Sequence, residues 1–459
     1  MGLVGIAPML AGQKPTTFFE VLPLIALLAI PTCAGLAASI AAFGMKPTLN
    51  ISTPLFLFMI VAGLLLRLAW FGAPAPLEDD FYRYLWDGAV TANGGNPYLV
   101  APMRVEAAAS LDPVLARLKA ESGDVLARIN FPDLTTIYPG TAQLAFAVAH
   151  LLRPYSLDGL RAVFLVGDLA ALAGLMALVP LTGGSRLFAM LYWLNPMVVF
   201  AIFGVVHVDA LVVPFIVWAV VAALSARPLT CGALIALAAG VKLWPVLLAP
   251  LLLRETFRAS PGLAIAALIL TAAITGMLVG PLAFSAMAAT SGLTAYAASW
   301  HINNGPYAWA SYCLYLIFGE SGLAQRGLRL VVASAAAAVA LWVSYWPMPV
   351  TSHLKARETT VRALTIAAAV FYLSPAQFPW YALWFLGLAA AVPSFPLLGA
   401  SVTLAAYYTF YPLWETGRGS LFLYGAAFLH SVPVWLWLAA DSLYSQRVES
   451  REFKDQPAS

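Results

Sequence analysis

Residues 53–71, TPLFLFMIVAGLLLRLAWF, run directly into residues 72–102, GAPAPLEDDFYRYLWDGAVTANGGNPYLVAP. The first stretch is apolar and has the length needed to cross a bilayer, about 20 helical residues. The second places three of the chain's 21 acidic residues side by side, at Glu78, Asp79 and Asp80. Because charge is costly near a bilayer, a carboxylate cluster at its edge predicts a functional site.

The composition of the whole chain is that of a membrane protein. Of its 459 residues, 62% are hydrophobic and only 10% are charged, whereas soluble domains carry about 25% charged residues. A water-soluble core of this chain length does not bury so much apolar surface. The net charge of +3 is small, and the sequence holds no Lys/Arg-rich run. We therefore expect an integral membrane protein that contacts membrane lipids and does not bind nucleic acid.

Hydrophobic runs predict an all-α, polytopic transmembrane bundle of about 12 to 14 helices. Short or proline-interrupted runs, such as 136–152, 306–319 and 379–393, are typical of half-spans that line a cavity. We expect residues 1–441 to form the transmembrane catalytic domain and residues 442–459 to form a polar, disordered cytoplasmic tail. The candidate spans are 20–44, 53–71, 136–152, 160–181, 186–203, 208–226, 229–252, 262–283, 306–319, 324–347, 359–374, 379–393, 396–413 and 422–440.

Two polar segments are longer than ordinary connectors. Residues 72–135 carry the acidic cluster and are expected to hold structure of their own, whereas residues 284–306 are rich in Ser, Thr and Asn. Lys and Arg concentrate on the cytoplasmic side of a membrane protein, which favours an outer position for residues 72–135. The cationic residues predicted to be cytoplasmic are Arg153, Arg161, Arg254, Arg258, Lys355, Arg357, Arg362, Arg447, Arg451 and Lys454.

A short helix is predicted within the first polar segment, over about residues 79–93. Pro76 precedes its start, and Pro97 follows its end because a proline disfavours helical geometry in the residue before it. Carboxylates at the amino end of a helix are favoured by the helix dipole. One carboxylate would satisfy the dipole, whereas three repel one another and raise a pKa, which is typical of a base or a cation site.

The helical spacing i, i+3, i+4, i+7 gives this helix an ionic face and an aromatic, apolar face. A helix of this kind lies in the headgroup layer of a membrane. A purely structural interpretation stays open, in which the ionic face forms helix salt bridges and the aromatic rings form a membrane belt. The ionic face comprises Asp80, Arg83, Tyr84 and Asp87, and the apolar face comprises Phe81, Tyr82, Leu85, Trp86 and Ala89.

The patterns PLxDDxYRYLWDG at residues 76–88 and GxNPY at residues 94–98 resemble the first extracytoplasmic loop of C-type polytopic glycosyltransferases. That family includes the lipid-linked mannosyltransferases and the bacterial enzymes similar to them. The segment NFPDLTTIYP at residues 130–139 is similar to the end of the same loop, although Gly140 stands where a second proline is expected. Weaker blocks that also fit are LNP at 194–196, GxxHxD at 204–209, GVKLWP at 240–245 and SPxxxPWY at 374–381.

The resemblance implies a GT-C fold and a donor hexose, with mannose the first guess, carried on a polyprenyl phosphate. A glycan or lipid hydroxyl would attack C1 with inversion at the outer face of a bacterial plasma membrane. The site is expected between residues 72–135 and 284–306. A carboxylate has to take or orient the hydroxyl proton; Asp80 is the first choice and Asp79 the second. Asp87 is expected to orient Arg83 or the acceptor.

Further polar residues are candidate substrate contacts, each with a plainer alternative. His207 and Asp209 begin an apolar run, where a membrane-edge histidine often satisfies a helix end. Lys242 interrupts an apolar run and either binds phosphate or extends to the interface. His301 and Asn303 either bind sugar hydroxyls or belong to an aromatic loop.

The candidate substrate-binding residues form one set, drawn from both polar segments and from the blocks above. No cofactor and no metal ligand set is predicted, since no two histidines have metal-ligand spacing, but a divalent cation stays open. Tyr407, Tyr408 and Tyr411 are expected to anchor the chain at the interface. The substrate-binding set is Glu78, Arg83, Tyr84, Asp87, Asn96, Tyr98, Tyr138, His207, Asp209, Lys242, His301 and Asn303.

Two other classes of function stay open. A transporter or flippase of a lipid-linked or amphipathic substrate also needs many helices and buried charges. Such proteins concentrate ionisable residues near the middle of the membrane, whereas here they crowd the loop after the second span. A non-catalytic assembly subunit is the third class, and it predicts that Asp80 is dispensable.

Overall fold

The computed structural model is helical throughout the part of the chain that it describes. Among those residues there is no strand, and one isolated bridge pairs Ile302 with Ala376. This architecture confirms the predicted all-α class. By length and composition, five helices are able to cross a membrane, or six when a pair bent by 53° is taken as one span. The described residues are 9, 12–45, 52–288, 290–348 and 351–454.

The α-helices vary from one turn to 28 residues. Their bounds are Phe18–Met45, Thr53–Leu68, Asp80–Ala92, Pro102–Ala107, Pro113–Glu121, Gly140–Leu152, Leu157–Leu181, Met190–Trp193, Pro196–Val199, Val212–Leu224, Pro228–Ala239, Ala249–Leu252, Arg254–Ala259, Pro261–Ser285, Gly292–Ser299, Gly305–Phe318, Gly322–Tyr345, Ser352–Leu373, Leu383–Ala391, Phe395–Thr403, Phe410–Glu415, Gly419–Leu421 and Phe428–Lys454. The 3₁₀ segments are Leu126–Arg128, Arg186–Ala189, Val208–Leu211, Trp244–Leu248, Pro379–Ala382 and Leu404–Thr409, and the π-helical turns are Phe200–Gly204 and Phe422–Ala426.

Several predicted spans are divided into shorter pieces. The run 229–252, for example, consists of Pro228–Ala239, the 3₁₀ segment Trp244–Leu248 and a final helical turn. A proline lacks the N–H that continues a helix, so Pro245 begins a new segment after Gly240 ends the first. Broken backbone of this kind is tolerated inside a membrane where it lines a cavity.

The last helix continues through most of the segment that was predicted to be a disordered tail. It extends to Lys454, and residues 455–459 lie outside the described part of the chain. Residues 441–454 contain neither Gly nor Pro, so nothing in their sequence interrupts a helix that is already formed upstream.

The helix Asp80–Ala92 lies within one residue of each predicted end and packs along the helix Gly140–Leu152. Gly88 permits this close approach, because a Cβ at this position would lie 2.4 Å from the carbonyl oxygen of Phe146. The ring of Tyr84 stacks on the ring of Phe146, with centroids 4.5 Å apart. The two helices therefore form one rigid pair.

Residues 153–161, which follow the helix Gly140–Leu152, contact the start of the long polar loop. Asp158 Oδ1 accepts a hydrogen bond of 2.9 Å from the Gly72 amide. Arg161 Nη1 donates to the Ala73 carbonyl at 2.7 Å. Residues 153–161 thus lie on the same side of the protein as residues 72–135.

These contacts overturn two predictions. The helix Gly140–Leu152 is not a span, and Arg153 and Arg161 are not on the side opposite the loop 72–135. With 13 residues the helix is about 20 Å long at 1.5 Å per residue, which is too short for the hydrocarbon layer. One face packs on the helix Asp80–Ala92, whereas the apolar side chains Leu144, Val148, Leu151 and Leu152 are exposed. An interfacial position fits this amphipathic exposure better than a transmembrane one.

A basic cluster, which includes Arg254 and Lys355, lies far from the polar loops. It is found at the start of the helix Pro261–Ser285, whose other end reaches those loops. Lys355 Nζ forms an ion pair of 2.7 Å with Glu255, and Arg254 Nη1 donates to the Ser344 carbonyl at 2.8 Å. The helix Pro261–Ser285 starts beside this cluster and ends near Thr290, whose carbonyl accepts from the Thr135 amide of the long loop. The basic cluster and the long loop are therefore separated by the length of a 25-residue helix.

We expect Gly88→Ala to destabilise the protein by about 1 to 3 kcal/mol, because the added methyl group forces the helix pair apart. The measurement is the thermal midpoint of the detergent-solubilised protein. Gly276→Ala is the matched control, since a Cβ there meets open space and the change raises helix propensity. An unchanged midpoint for Gly88→Ala would contradict the close packing of the two helices.

Candidate functional site

The two predicted catalytic carboxylates line a cavity of about 290 Å³ at the amino end of the helix Asp80–Ala92. Its walls come from both polar segments, as predicted, and also from the region around residues 378–411. The polar and aromatic residues that line it are Lys14, Glu78, Asp79, Asp80, Arg83, Tyr84, Asn130, Phe131, Thr135, Tyr138, Lys242, Tyr296, Trp300, Phe378, Trp380, Tyr381, Tyr407, Phe410 and Tyr411.

Asp79 and Asp80 share one hydrogen-bond donor. The Nδ2 group of Asn130 donates to Asp79 Oδ1 and to Asp80 Oδ1, each at 2.8 Å. The second oxygen of Asp80 has longer contacts, 3.5 Å from the Tyr138 hydroxyl and 3.9 Å from His207 Nδ1. The side chain of Asp80 is 33% exposed, so it is not enclosed by protein.

Glu78 is the most perturbed carboxyl group of the cavity. Its Oε1 accepts a hydrogen bond of 2.7 Å from the Tyr411 hydroxyl. Burial raises the pKa of Glu78 to about 8, and the charges of Asp80 and Asp79 act in the same direction. At neutral pH the protonated form of Glu78 therefore predominates, which lowers the negative charge of the triplet. Burial and the charge of Asp80 also raise the pKa of Asp79, while the hydrogen bond from Asn130 opposes that rise.

We expect the activity of the parent protein to fall as the pH rises through about 8. Above that pH Glu78 loses its proton, and a third negative charge then faces Asp79 and Asp80. Glu78→Gln keeps the shape of the protonated form and cannot ionise, so its pH–activity profile should lack this alkaline decline. A decline of the same size and midpoint in the variant would exclude Glu78 as its source.

Lys242 reaches the cavity rather than the membrane interface. Its Nζ lies 3.4 Å from Asp209 Oδ2 and 4.8 Å from the ring centroid of Tyr381, and its side chain is 18% exposed. Asp209 Oδ1 accepts a hydrogen bond of 2.7 Å from Trp384 Nε1. Asp209 is fully buried and does not line the cavity, so it positions Lys242 and does not meet a substrate.

His207 lies next to Asp80, with its Nδ1 3.9 Å from Asp80 Oδ2. Its ring is fully buried and stacks on Trp380 at 3.5 Å, and its Nδ1 lies 3.4 Å from the Tyr84 hydroxyl. The backbone before it is unusual, because Val206 has a φ of 57° and the π-helical turn Phe200–Gly204 precedes it. Such geometry is frequent at functional sites. His207 itself does not line the cavity, but it packs against Trp380, which does.

Arg83 does not form either predicted helix salt bridge. Its guanidinium donates instead to the carbonyls of Leu134 at 3.1 Å, Asn130 at 3.2 Å and Phe131 at 2.9 Å. The planar guanidinium group of an arginine carries five N–H donors in fixed directions. It can therefore bind three carbonyl groups at once. Arg83 lines the cavity, and its hydrogen bonds fix the turn at residues 130–134.

Asp87 is buried inside the helix pair, so the substrate contact predicted for it is wrong. Its Oδ2 accepts a hydrogen bond of 3.2 Å from Gln143 on the partner helix, and its side chain is 1% exposed. Burial raises the pKa of Asp87. Trp86 on the opposite face is also buried. The helix Asp80–Ala92 is therefore enclosed by protein on both faces and does not lie open in the headgroup layer.

Asn96 and Tyr98 also lie away from the cavity, in contrast to their predicted role. Asn96 Oδ1 accepts from the Tyr98 amide at 2.9 Å, a turn that asparagine commonly forms. The Tyr98 hydroxyl donates to the Tyr138 carbonyl at 2.8 Å. Tyr98 of the GxNPY block thus fixes the backbone of Tyr138, which lines the cavity.

His301 and Asn303 do not line the cavity either, although their neighbours Trp300 and Ile302 do. His301 is exposed, and its Nδ1 lies 3.0 Å from the Ser299 carbonyl. Asn303 is buried and donates to the Gln377 carbonyl at 2.8 Å. Asn303 therefore joins two loops, and its polar groups face protein rather than sugar.

Several cavity residues were not predicted from the sequence. Asn130 and Tyr381 stand inside blocks that carry the family resemblance, so those blocks were a usable signal. Tyr411 stands in an apolar run and was expected, with Tyr407 and Tyr408, to be an interfacial anchor. All three tyrosines are buried, so that prediction is wrong. Nothing in the local sequence indicates that Tyr411 reaches Glu78 across 333 residues.

Within the described ranges, no group of three or more His, Cys, Asp or Glu side chains is arranged to hold a metal ion. Asp79 and Asp80 offer carboxylate oxygens, the ligand type that divalent cations such as Mg²⁺ prefer. Both accept hydrogen bonds from Asn130 through Oδ1.

The apolar helices indicate a multi-pass membrane protein, and the polar cavity is its candidate site. The family described as alpha-(1->6)-mannopyranosyltransferase, N-terminal domain, matches residues 139–258. This match confirms the resemblance to a mannosyltransferase-like family, and together with the apolar helices it supports a membrane glycosyltransferase. The matched residues include His207, Asp209 and Lys242 but not the acidic triplet. No curated protein and no solved structure matches the chain.

Proposed function

We propose that this protein transfers a hexose, with mannose as the first candidate, from a polyprenyl-phosphate carrier to a hydroxyl group of a lipid or glycan. One observation carries this proposal: Asp80 Oδ2 borders a cavity that also contains the Lys242 ammonium group and aromatic walls. A base, a cation and flat apolar surfaces are what sugar transfer from a lipid phosphate requires. The family match over residues 139–258 supports the transfer of mannose in particular.

The reaction proceeds in one displacement. The acceptor hydroxyl gives its proton to Asp80 Oδ2 while its oxygen forms a bond to C1 of the sugar. The bond between C1 and the phosphate oxygen breaks, and the phosphate leaves with the electron pair. Lys242 stabilises the charge that develops on that phosphate. Because attack and departure occur on opposite faces of C1, the anomeric configuration inverts.

The proposed reaction takes place at the outer face of the membrane, for which a bacterial plasma membrane is our expectation. The basic cluster around Arg254 and Lys355 lies at the opposite helix ends from the loop 72–135. Positive charge marks the cytoplasmic side, which supports an outer position for the cavity. The positions of Arg153 and Arg161 beside the loop run against this rule. Both share Asp158 as an ion-pair partner.

A transporter is the second candidate, because one ionic contact does lie deep within the bundle. Arg67 and Asp168 form a fully buried ion pair, and the Tyr192 hydroxyl donates to Asp168 Oδ1 at 2.8 Å. Arg67 also donates to the Trp193 carbonyl at 2.8 Å. This pair does not line the cavity, and its groups are held by fixed partners. A structural role in the bundle accounts for it, so we favour the enzyme.

The test is a transfer assay with the purified protein in lipid vesicles. Polyprenyl-phosphate mannose, other polyprenyl-phosphate hexoses and nucleotide sugars are supplied in parallel, with and without EDTA. We expect sugar transfer from a polyprenyl-phosphate donor only, and NMR of the product should show the inverted anomer. Movement of the lipid-linked sugar between leaflets without product formation would support the transporter instead. Transfer from a nucleotide sugar would contradict the proposed donor.

A further inference from the structure

Asn130 contacts both candidate catalytic carboxylates through one amide group. Its Nδ2 lies 2.8 Å from Asp79 Oδ1 and 2.8 Å from Asp80 Oδ1. An amide nitrogen carries two hydrogens, so each carboxylate receives one of them. Two like charges are thereby held next to each other, and Asp80 Oδ2 is left for the substrate.

The turn that carries Asn130 is itself fixed from two sides. Arg83, on the helix that begins with Asp80, donates to the Asn130 and Phe131 carbonyls. The Met103 amide donates to the Pro132 carbonyl at 2.8 Å. Phe131 adopts a φ of 47°, a conformation that bulky residues rarely take. A strained residue persists where its surroundings determine the backbone on several sides.

We propose that Asn130 is a positioning residue that orients the pair Asp79–Asp80, and that Arg83 acts through it by fixing the turn. The proposal rests on the proposed function, because it needs Asp80 to act as the base. A hydrogen bond to a carboxylate favours its charged form. Asn130 therefore opposes the burial and the charge of Asp80 that raise the pKa of Asp79, and its hydrogen bond to Oδ1 fixes the rotamer of Asp80.

The pH dependence of this site depends on all of the groups that face the two carboxylates. They belong to several separate parts of the chain, so no single helix determines the charge of the pair. The titratable and charged groups around the pair are Lys14, Glu78, Tyr82, Arg83, Tyr84, Tyr138, His207, Asp209, Lys242, Tyr296, Tyr381, Tyr407 and Tyr411.

The experiment compares the kinetics of Asn130→Ala and Asn130→Asp with those of the full-length parent in lipid vesicles. Loss of a hydrogen bond to a charged group should lower kcat about 10- to 100-fold, while KM for the polyprenyl-phosphate donor stays the same. The acidic limb of the kcat profile should move to higher pH, because a carboxylate without its donor binds its proton more tightly. The shift should be larger for Asn130→Asp, which adds a third carboxylate.

Two further variants separate positioning from general damage. Asn93→Asp is the matched control, since Asn93 pairs with Arg117 at the far end of the same helix and should keep the parental kcat and pH profile. Asn130→Gln retains the amide on a longer side chain and should recover part of kcat. The elution volume and thermal midpoint of each variant in detergent show whether it is folded.

The outcomes are distinct. If the parent transfers sugar but folded Asn130→Ala has the parental kcat and acidic limb, the proposal is overturned while the proposed function stands. A fall in kcat without any shift of the acidic limb, together with a lowered thermal midpoint, would reduce Asn130 to a structural role and also overturn it. If the parent transfers no sugar from any polyprenyl-phosphate donor, the proposed function itself has failed.

The role of Arg83 is tested in the Asn130→Ala background. Arg83→Lys keeps the charge but loses the planar fork that holds the carbonyls. If Arg83 acts through Asn130, the two changes are not additive, and the double variant should have nearly the kcat of Asn130→Ala alone. A double variant that loses the full product of both effects would contradict this route of action.

Discussion

Asp80→Asn should lower kcat about 10²- to 10⁴-fold, the range in which a general base contributes. The amide has nearly the same shape and keeps a polar group at Oδ1 and Oδ2, but it cannot accept the proton of the acceptor hydroxyl. KM for the polyprenyl-phosphate donor should change little, because the donor phosphate is expected to lie at Lys242. The measurement is the initial rate of transfer in lipid vesicles, with the amount of folded protein determined by gel filtration.

Asp124→Asn is the matched control for this change. Asp124 belongs to the same loop, its side chain is exposed and it does not line the cavity. Its variant should transfer sugar at the parental rate. Parental kcat in folded Asp80→Asn would place the base elsewhere, and Asp79→Asn would then be the next variant to measure. A non-catalytic assembly subunit also predicts that Asp80 is dispensable, but it predicts no transfer by the purified parent.

Lys242→Gln should lower kcat about 10²- to 10³-fold, because one preorganised group that stabilises developing charge is worth this much. The ammonium group lies inside the cavity and is oriented by the ion pair of 3.4 Å with Asp209. Removing it leaves both the departing phosphate and the buried Asp209 carboxylate without a cation. Lys242→Arg keeps the charge and should retain more activity than Lys242→Gln. The transfer assay measures both.

The loss of a buried ion pair can also damage the fold, so a neutral pair serves as a second variant. Lys242→Gln combined with Asp209→Asn removes both charges and should be folded but as slow as Lys242→Gln alone. Lys355→Gln is the control on the opposite side of the protein, where Lys355 pairs with Glu255, and its kcat should equal that of the parent. Recovery of parental kcat in the neutral double variant would exclude a phosphate role for Lys242.

The local features of the site were predictable from the sequence. The helix at residues 80–92 follows from the prolines around it and from the carboxylates at its start. The family resemblance led us to expect the site between the two polar segments, and both segments line the cavity. Lys242 was recognised because a lysine inside an apolar run needs either a route to the interface or a partner.

The contacts between distant segments were not predictable in this way. Hydropathy alone assigns the run 136–152 to the membrane, whereas its buried face covers a neighbouring helix at Gly88. The same limit applies to Asp87, whose helical spacing suggests an ion pair but whose side chain meets Gln143. A helical wheel shows which residues share a face, but it does not show what packs against that face.

The most direct test of the central claim is a cryo-EM structure of the protein with a non-hydrolysable polyprenyl phosphonate of mannose. We expect the phosphonate to lie beside Lys242 Nζ and the anomeric carbon to lie within about 6 Å of Asp80 Oδ2, which leaves room for one acceptor oxygen between them. A sugar phosphonate bound outside this cavity, or one that faces away from Asp80, would contradict the central claim.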